Sequence, residues 1–191
     1  MNERLVENWL DSVNERTYQV PFCQLLCAKG HRILHSSRHS PIELGKDIIS
    51  IAPDGVLCAY QLKGNPGTRL TLSQYREIEP QLLQLVNYSI PHPALPRTKK
   101  HRSYLVTNGF VEEETIHAIN QMNEGFIRDG FFNRKLEVIQ RGDLLRDFYD
   151  MGLNLWPSDL AEINLLLELI VSDGRGLIEK EKLHTLLVTE K

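Results

Sequence analysis

The chain has 191 residues, 41% of them hydrophobic and 25% charged, which fits one well-packed domain with an appendage and excludes a fibrous or wholly disordered chain. A formal net charge of −3 excludes a generally basic nucleic-acid coat, so any contact with a phosphate backbone must come from local positive patches. No segment is long and apolar enough to span a bilayer, Met1 to Val20 lacks a signal-peptide core, and Cys23, Cys27 and Cys58 form no C-x-x-C pair, so the expectation is a cytoplasmic protein with no membrane partner and no disulfide scaffold.

Leu5, Trp9, Leu10 and Val13 recur at helical spacing and predict a helix over residues 2–16. Glu7 lies near its apolar edge, where it can turn an oxygen inward or stay solvated. Pro21 to Ala28 reads as a short helix opened by its proline and closed by Gly30, with Cys23 and Cys27 on a core face, followed by a brief strand at Arg32–Leu34. Lys29, His31, Arg32, His35, Arg38 and His39 crowd into one cationic segment that would suit a phosphate backbone. The three histidines sit four apart, but Ser36, Ser37, Ser40 and Pro41 disfavour the helix that would make this a metal site.

The stretch Pro41 to Gly64 carries the chemistry. Ile48–Ala52 and Val56–Leu62 are apolar runs separated by the turn signal Pro53-Asp54-Gly55, which predicts a β-hairpin. A two-residue loop sets Asp47 opposite Leu62; a three-residue loop with Gly55 in the left-handed region sets it opposite Gln61. The second register is chemically coherent. It places Asp47, Ile49, Ile51, Leu57, Ala59, Gln61 and Lys63 on one face, so that Asp47 and Gln61 can share a ligand with Lys63 diagonal to them. Both faces are mainly apolar, so the hairpin belongs inside a sheet covered on both sides. The acid and the lysine at its end are either an ion pair capping the strands or a working site.

Beyond the hairpin, residues 71–86 predict a helix interrupted at Pro80. Residues 87–102 read as a proline-rich loop containing Arg97, Lys99, Lys100 and Arg102, the most basic stretch of the chain. A strand at 103–107, a helix at 112–124 with Ile116, Ile119 and Met122 inward, a strand at 136–140 and a helix from Asp143 as N-cap follow, the two strands being parallel across a right-handed crossover. The order describes an α/β fold, helices flanking a mixed sheet over residues 1–150. Residues 151–191 form an apolar helical extension for packing, dimerisation or linkage to further domains.

Gly45-Lys46-Asp47-Ile48-Ile49 followed by Tyr60-Gln61-Leu62-Lys63 resembles the active-site pattern of the PD-(D/E)XK nuclease superfamily, most closely its branch similar to the Mrr restriction endonucleases, in which glutamine often replaces the second acid. Ser103 to Gly109 and Glu137 to Ile139 look like the later strand-helix-strand region of that branch. The resemblance implies a restriction-endonuclease-like mixed central sheet. It makes Asp47 the central metal ligand, Gln61 the residue in the second acid's place, the Leu62 carbonyl a further ligand and Lys63 the group that orients the attacking water. Glu7 looks like the helix-borne acid of the family, and Glu43, outside the minimal motif but beside the hairpin, reads either as an acid that supports the metal ligands or as one next to the metal. Mg²⁺ or Mn²⁺ is the implied cofactor, bound weakly until nucleic-acid phosphate adds oxygens.

The partner implied is DNA, with RNA not excluded, held by Arg32, Arg38, His39, Lys46, Arg97, Lys99, Lys100 and Arg102. An endonuclease acting in restriction or antiphage defence, as a homo-oligomer or with a fused or associated sensor NTPase, is one expectation. A catalytically silent nucleic-acid-binding or assembly module on the same fold is the other.

Overall fold

The computed structural model describes residues 3–37, 46–90 and 100–155. In chain order the elements are α1 (Glu3–Leu10), α2 (Glu15–Ala28), β1 (Arg32–Ser36), β2 (Ile48–Ile51), β3 (Leu57–Lys63), β4 (Arg69–Leu70), α3 (Leu72–Asn87), β5 (His101–Thr107), β6 (Phe110–Val111), α4 (Glu113–Arg128), β7 (Leu136–Ile139) and α5 (Arg141–Leu155). The chain divides into two compact units, residues 2–151 and residues 152–191 with Met1. Every side chain described here belongs to the first, and the predicted helices beyond Trp156 lie outside the described residues.

The expected α/β architecture, a mixed central sheet flanked by helices, is the one the chain adopts. Five strands run in the order β1-β2-β3-β5-β7. The first three form an antiparallel meander, and the short turn between β2 and β3 can join only antiparallel neighbours. β5 and β7 are parallel to β3 and to each other's direction, each reached through a helix, α3 and then α4, as parallel strands require. A two-residue parallel ladder, β4 with β6, adds a link that the sequence pattern does not reveal.

Both faces of the sheet are covered, as the apolar runs of the hairpin demand. Ile48, Cys58, Tyr60, Leu62 and Val106 pack against Val6, Leu10, Tyr18, Phe22, Leu25, Leu144 and Phe148 from α1, α2 and α5. Ile49, Leu57, Ala59 and Leu105 pack against Tyr75, Leu82, Leu85 and Ile119 from α3 and α4. Alternate residues of one strand therefore feed two separate cores.

Several boundaries differ from expectation for local reasons. The predicted helix over 2–16 is two helices, because the Asn14 side chain accepts hydrogen bonds from the N–H groups of Arg16 and Thr17 and starts α2 at Glu15. Pro21 then falls inside α2 rather than opening it, and Pro80 likewise sits inside an unbroken α3 that begins with a Thr71–Gln74 capping box. Asp143 is not the N-cap of α5. It lies in the first turn and accepts from the Gln140 N–H. Leu5, Ile116 and Cys27 are exposed, not in the core.

Candidate active site

The site is assembled at the open end of the β2–β3 hairpin. At the other end, Ala52 N–H donates to the Val56 carbonyl at 2.9 Å across Pro53-Asp54-Gly55, and Gly55 has φ +78°. That is the three-residue loop, and a glycine there avoids the steric cost of the left-handed conformation. The register that follows pairs Ile48 with Tyr60 and Ile51 with Leu57, which sets Asp47 across from Gln61. Asp47 lies one residue before β2, with its N–H donating to the Tyr60 carbonyl at 2.8 Å. Its Oδ2 accepts from Gln61 Nε2 at 2.8 Å and from the Leu62 N–H at 2.7 Å.

Two consequences follow for the charged groups. Among the described residues no ion pair joins Asp47 to Lys63, so these two groups do not cap the hairpin end by pairing with each other. Meanwhile Gln61 Nε2 is committed to the carboxylate, which fixes the orientation of the amide. Its Oε1 is left buried without a hydrogen-bond partner. An orphaned buried acceptor costs about 1–3 kcal/mol and calls for an explanation.

The strand that carries Lys63 is clamped from behind. Tyr18, fully buried in α2, donates its hydroxyl to the Lys63 carbonyl at 2.9 Å, with the Val106 carbonyl 3.2 Å away. Burial, and then the negative charges of Glu15 and Asp47, push the Tyr18 phenol well above its ordinary pKa, so it stays a donor. Glu15 Oε2 accepts from the Gly64 N–H at 2.9 Å. A Cβ on Gly64 would stand 2.8 Å from the Glu15 backbone nitrogen and 3.3 Å from the Asn14 Cα, so glycine is required for the approach. Behind the clamp, Asn108 Oδ1 accepts from the Asn65 N–H at 2.8 Å, and its Nδ2 donates to the Leu10 and Val13 carbonyls at 2.7 Å each. Asn65 is further held by Thr107 and Gln74. Asn108 and Thr107 are fully buried, and every one of these bonds replaces one to water.

Glu15, Tyr18 and Asn108 hold the backbone at the Lys63 strand end, a role that the sequence pattern did not indicate. Recognising Asn14 as an N-cap would have placed Glu15 in a first turn and Tyr18 one turn later; nothing comparable in the sequence marks Asn108 beyond its turn-forming Asn-Gly pair.

The remaining sequence-predicted residues scatter. Among the described residues Glu7 belongs to no group of three metal-ligating side chains; its Oε1 accepts from Arg141 Nη2 at 2.8 Å, and Asp11 takes the same guanidinium through both oxygens at 2.7 and 2.8 Å. That contact raises the Arg141 pKa and lowers that of Asp11. Glu7 is thus a tether between α1 and α5. Lys46 is 1% exposed, its Nζ is 3.5 Å from the Gln84 carbonyl, and burial lowers its pKa to about 8. It is a core lysine, not a surface phosphate contact.

Arg102 pairs with Asp54 at 2.8 Å at the turn of the hairpin, and Arg32 lies opposite Ile51 near the same end. Lys100 precedes β5, whose first residue, His101, is opposite Leu57. The described cations expected to surround the acid therefore lie toward the far end of the hairpin or in the core. Arg38, His39, Glu43, Arg97 and Lys99 lie outside the described residues, as does the patch they were expected to complete. The Leu62 group that meets Asp47 is its N–H.

A divalent cation can be tested against these atoms. Among the described residues no three His, Cys, Asp or Glu side chains converge. The pair Asp47 carboxylate and Gln61 Oε1 offers hard oxygens from adjacent strands, one charged and one lacking any partner. Mg²⁺ is commonly held by one or two carboxylates with substrate phosphate and water completing the shell, so this donor set fits such an ion.

No protein-family model matches the chain, and no curated protein gives a significant match. Among solved structures the chain is similar to that of the MspJI restriction endonuclease in complex with a 27-mer oligonucleotide, at 17% identity and a TM-score of 0.40. The similarity covers 72% of this chain and 27% of that one, so the chain spans about a quarter of its length. Among the described residues no helix is long and apolar enough to cross a membrane.

Proposed function

We propose that the open end of the hairpin is the centre of a metal-dependent endonuclease of the PD-(D/E)XK type, Mrr-like in its D…QxK pattern, hydrolysing phosphodiester bonds of DNA. The observation that carries the reading is the buried, unpartnered Gln61 Oε1 beside a carboxylate that its own amide nitrogen orients. Asp47 and Gln61 would hold Mg²⁺ or Mn²⁺, which supplies a Lewis acid for the scissile phosphate and lowers the pKa of water. Lys63 stabilises charge developing on the phosphate oxygens and orients the attacking water. Tyr18 and Glu15 keep the Lys63 backbone fixed, so the ammonium is presented from a rigid strand end instead of a mobile loop.

With one carboxylate and one neutral amide, the free protein binds the cation weakly, and phosphate of the bound strand completes its shell. A cytoplasmic role in restriction or antiphage defence, as an oligomer or with an associated NTPase, belongs to the same proposal by analogy of motif.

Plasmid nicking with Mg²⁺ or Mn²⁺ tests it. Asp47→Asn, which keeps an oxygen acceptor for the Gln61 and Leu62 N–H groups, and Lys63→Ala are expected to lower the nicking rate by about 100-fold or more while leaving the thermal midpoint near that of the parent. Cleavage unchanged by both substitutions overturns the site. Binding of DNA without cleavage under either metal identifies the catalytically silent module instead.

A further inference from the structure

A second site lies at the other end of the parallel strands, where α4 turns toward β7. The helix ends on Gly130, φ +82°, with Gly130 N–H donating to the Ile127 carbonyl and Phe131 N–H to that of Phe126. This double closure fixes the chain direction after a helix. Arg134 N–H then donates to the Phe131 carbonyl, its guanidinium carbon stands 4.0 Å from the Phe131 ring centre, and its Nη1 reaches Asn87 Oδ1 at 2.9 Å. The turn is consequently tied to the end of α3.

Between them is a cavity of about 260 Å³ whose walls include Asn87, Tyr88, Lys100, Phe131, Phe132 and Arg134. Phe132 is 74% exposed and Tyr88 51%. No carboxylate belongs to the described lining. A surface that leaves aromatic faces in water, flanks them with cations and keeps acids away has the chemistry of a stacking platform for bases with an adjoining phosphate contact. The volume is at the small end of ligand pockets, and bases inside a duplex are stacked on each other and present no free face.

We propose that this cavity binds an unpaired nucleotide of a single strand, with the base against Phe132 and Tyr88 and the phosphate toward Lys100 and Arg134. The inference stands whether or not the hairpin cleaves DNA, because its lining includes neither Asp47, Gln61 nor Lys63.

The test is fluorescence anisotropy of the full chain, in chelator, with labelled oligothymidylate, an abasic strand of equal length and a duplex. Phe132→Ala is expected to weaken binding of oligothymidylate by roughly 5- to 100-fold, with little effect on the abasic strand or the duplex, and Phe132→Trp to restore it. Lys100→Ala should lower the salt-dependence slope on single strands by about 0.7. Equal weakening of all three probes, or none on oligothymidylate, overturns the proposal. So does a change of sedimentation with Phe132→Ala at unchanged nucleic-acid affinity, which marks a protein-docking face.

Discussion

An acid accompanies a cation at each end of one hairpin, Asp54 with Arg102 of β5 at the turn and Asp47 with Lys63 of β3 at the open end, and the two ends have opposite characters. At the turn, Asp54 and Arg102 face each other at 2.8 Å with both side chains about half exposed. Water screens such a pair, and holding two long side chains in place costs entropy, so it contributes about 0–1 kcal/mol. At the open end, Asp47 spends Oδ2 on an amide and a backbone N–H and forms no ion pair with the lysine three positions beyond its partner strand residue Tyr60. Charges that satisfy each other are finished; the buried Gln61 Oε1 at the open end, which has no hydrogen-bond partner, is an acceptor left for something else.

This contrast can be broken at several points. The largest expected effect on stability is at the support of the open end. Asn108→Ala removes three hydrogen bonds from a fully buried position and strands the Asn65 N–H and two carbonyls of the α1–α2 connection. A loss of about 3 kcal/mol is expected, measured by urea unfolding, and a loss near zero would mean that water replaces the side chain.

Lys46, adjacent to Asp47, gives a smaller, pH-dependent effect. Its folded pKa of about 8 lies below the ordinary 10.5. Below pH 8 both states are charged and the burial cost is carried in full. Between pH 8 and 10.5 the unfolded chain holds a proton that the folded chain has released, so stability rises with pH. Relative to Lys46→Met, the parent should gain on the order of 2 kcal/mol between pH 7 and 10. A constant difference between the two proteins across that range removes the burial argument.

The smallest effect is expected at the turn. Arg102→Ala should change stability by less than about 0.5 kcal/mol, with the plasmid-nicking rate unchanged within about twofold. A marked loss of nicking there would return Arg102 to the nucleic-acid contact surface.

What the sequence revealed and what it hid divide along the range of the interactions. The hairpin register was legible because a three-residue loop with Gly55 and a period of two leave one pairing that puts Asp47 across from Gln61. The two-sided burial and the parallel β5–β7 pairing were legible for the same reason: they follow from periodicity and element order. The fate of Glu7 was not, because Arg141 lies 134 positions away and no local pattern announces that a guanidinium will arrive. Lys46 reads as a surface cation in any composition-based view; its burial depends on α3 packing over it, with the Gln84 carbonyl beside its ammonium. Asn14 was a local signal that the stronger pattern of Leu5, Trp9, Leu10 and Val13 concealed.

The hydrogen bonds of Asn108 carry a consequence for how the protein is made. Its side chain joins residues 95 and 98 positions earlier, while Tyr18 reaches Val106 across 88 positions. The hairpin itself is local and can close within microseconds, but its open end is finished only when β5 has been synthesised and has docked beside β3. Contacts this distant in sequence form late, after loop closure has been offset by other contacts. An isolated two-stranded hairpin is marginal in water, so the geometry of the proposed centre is complete only with the docking of β5.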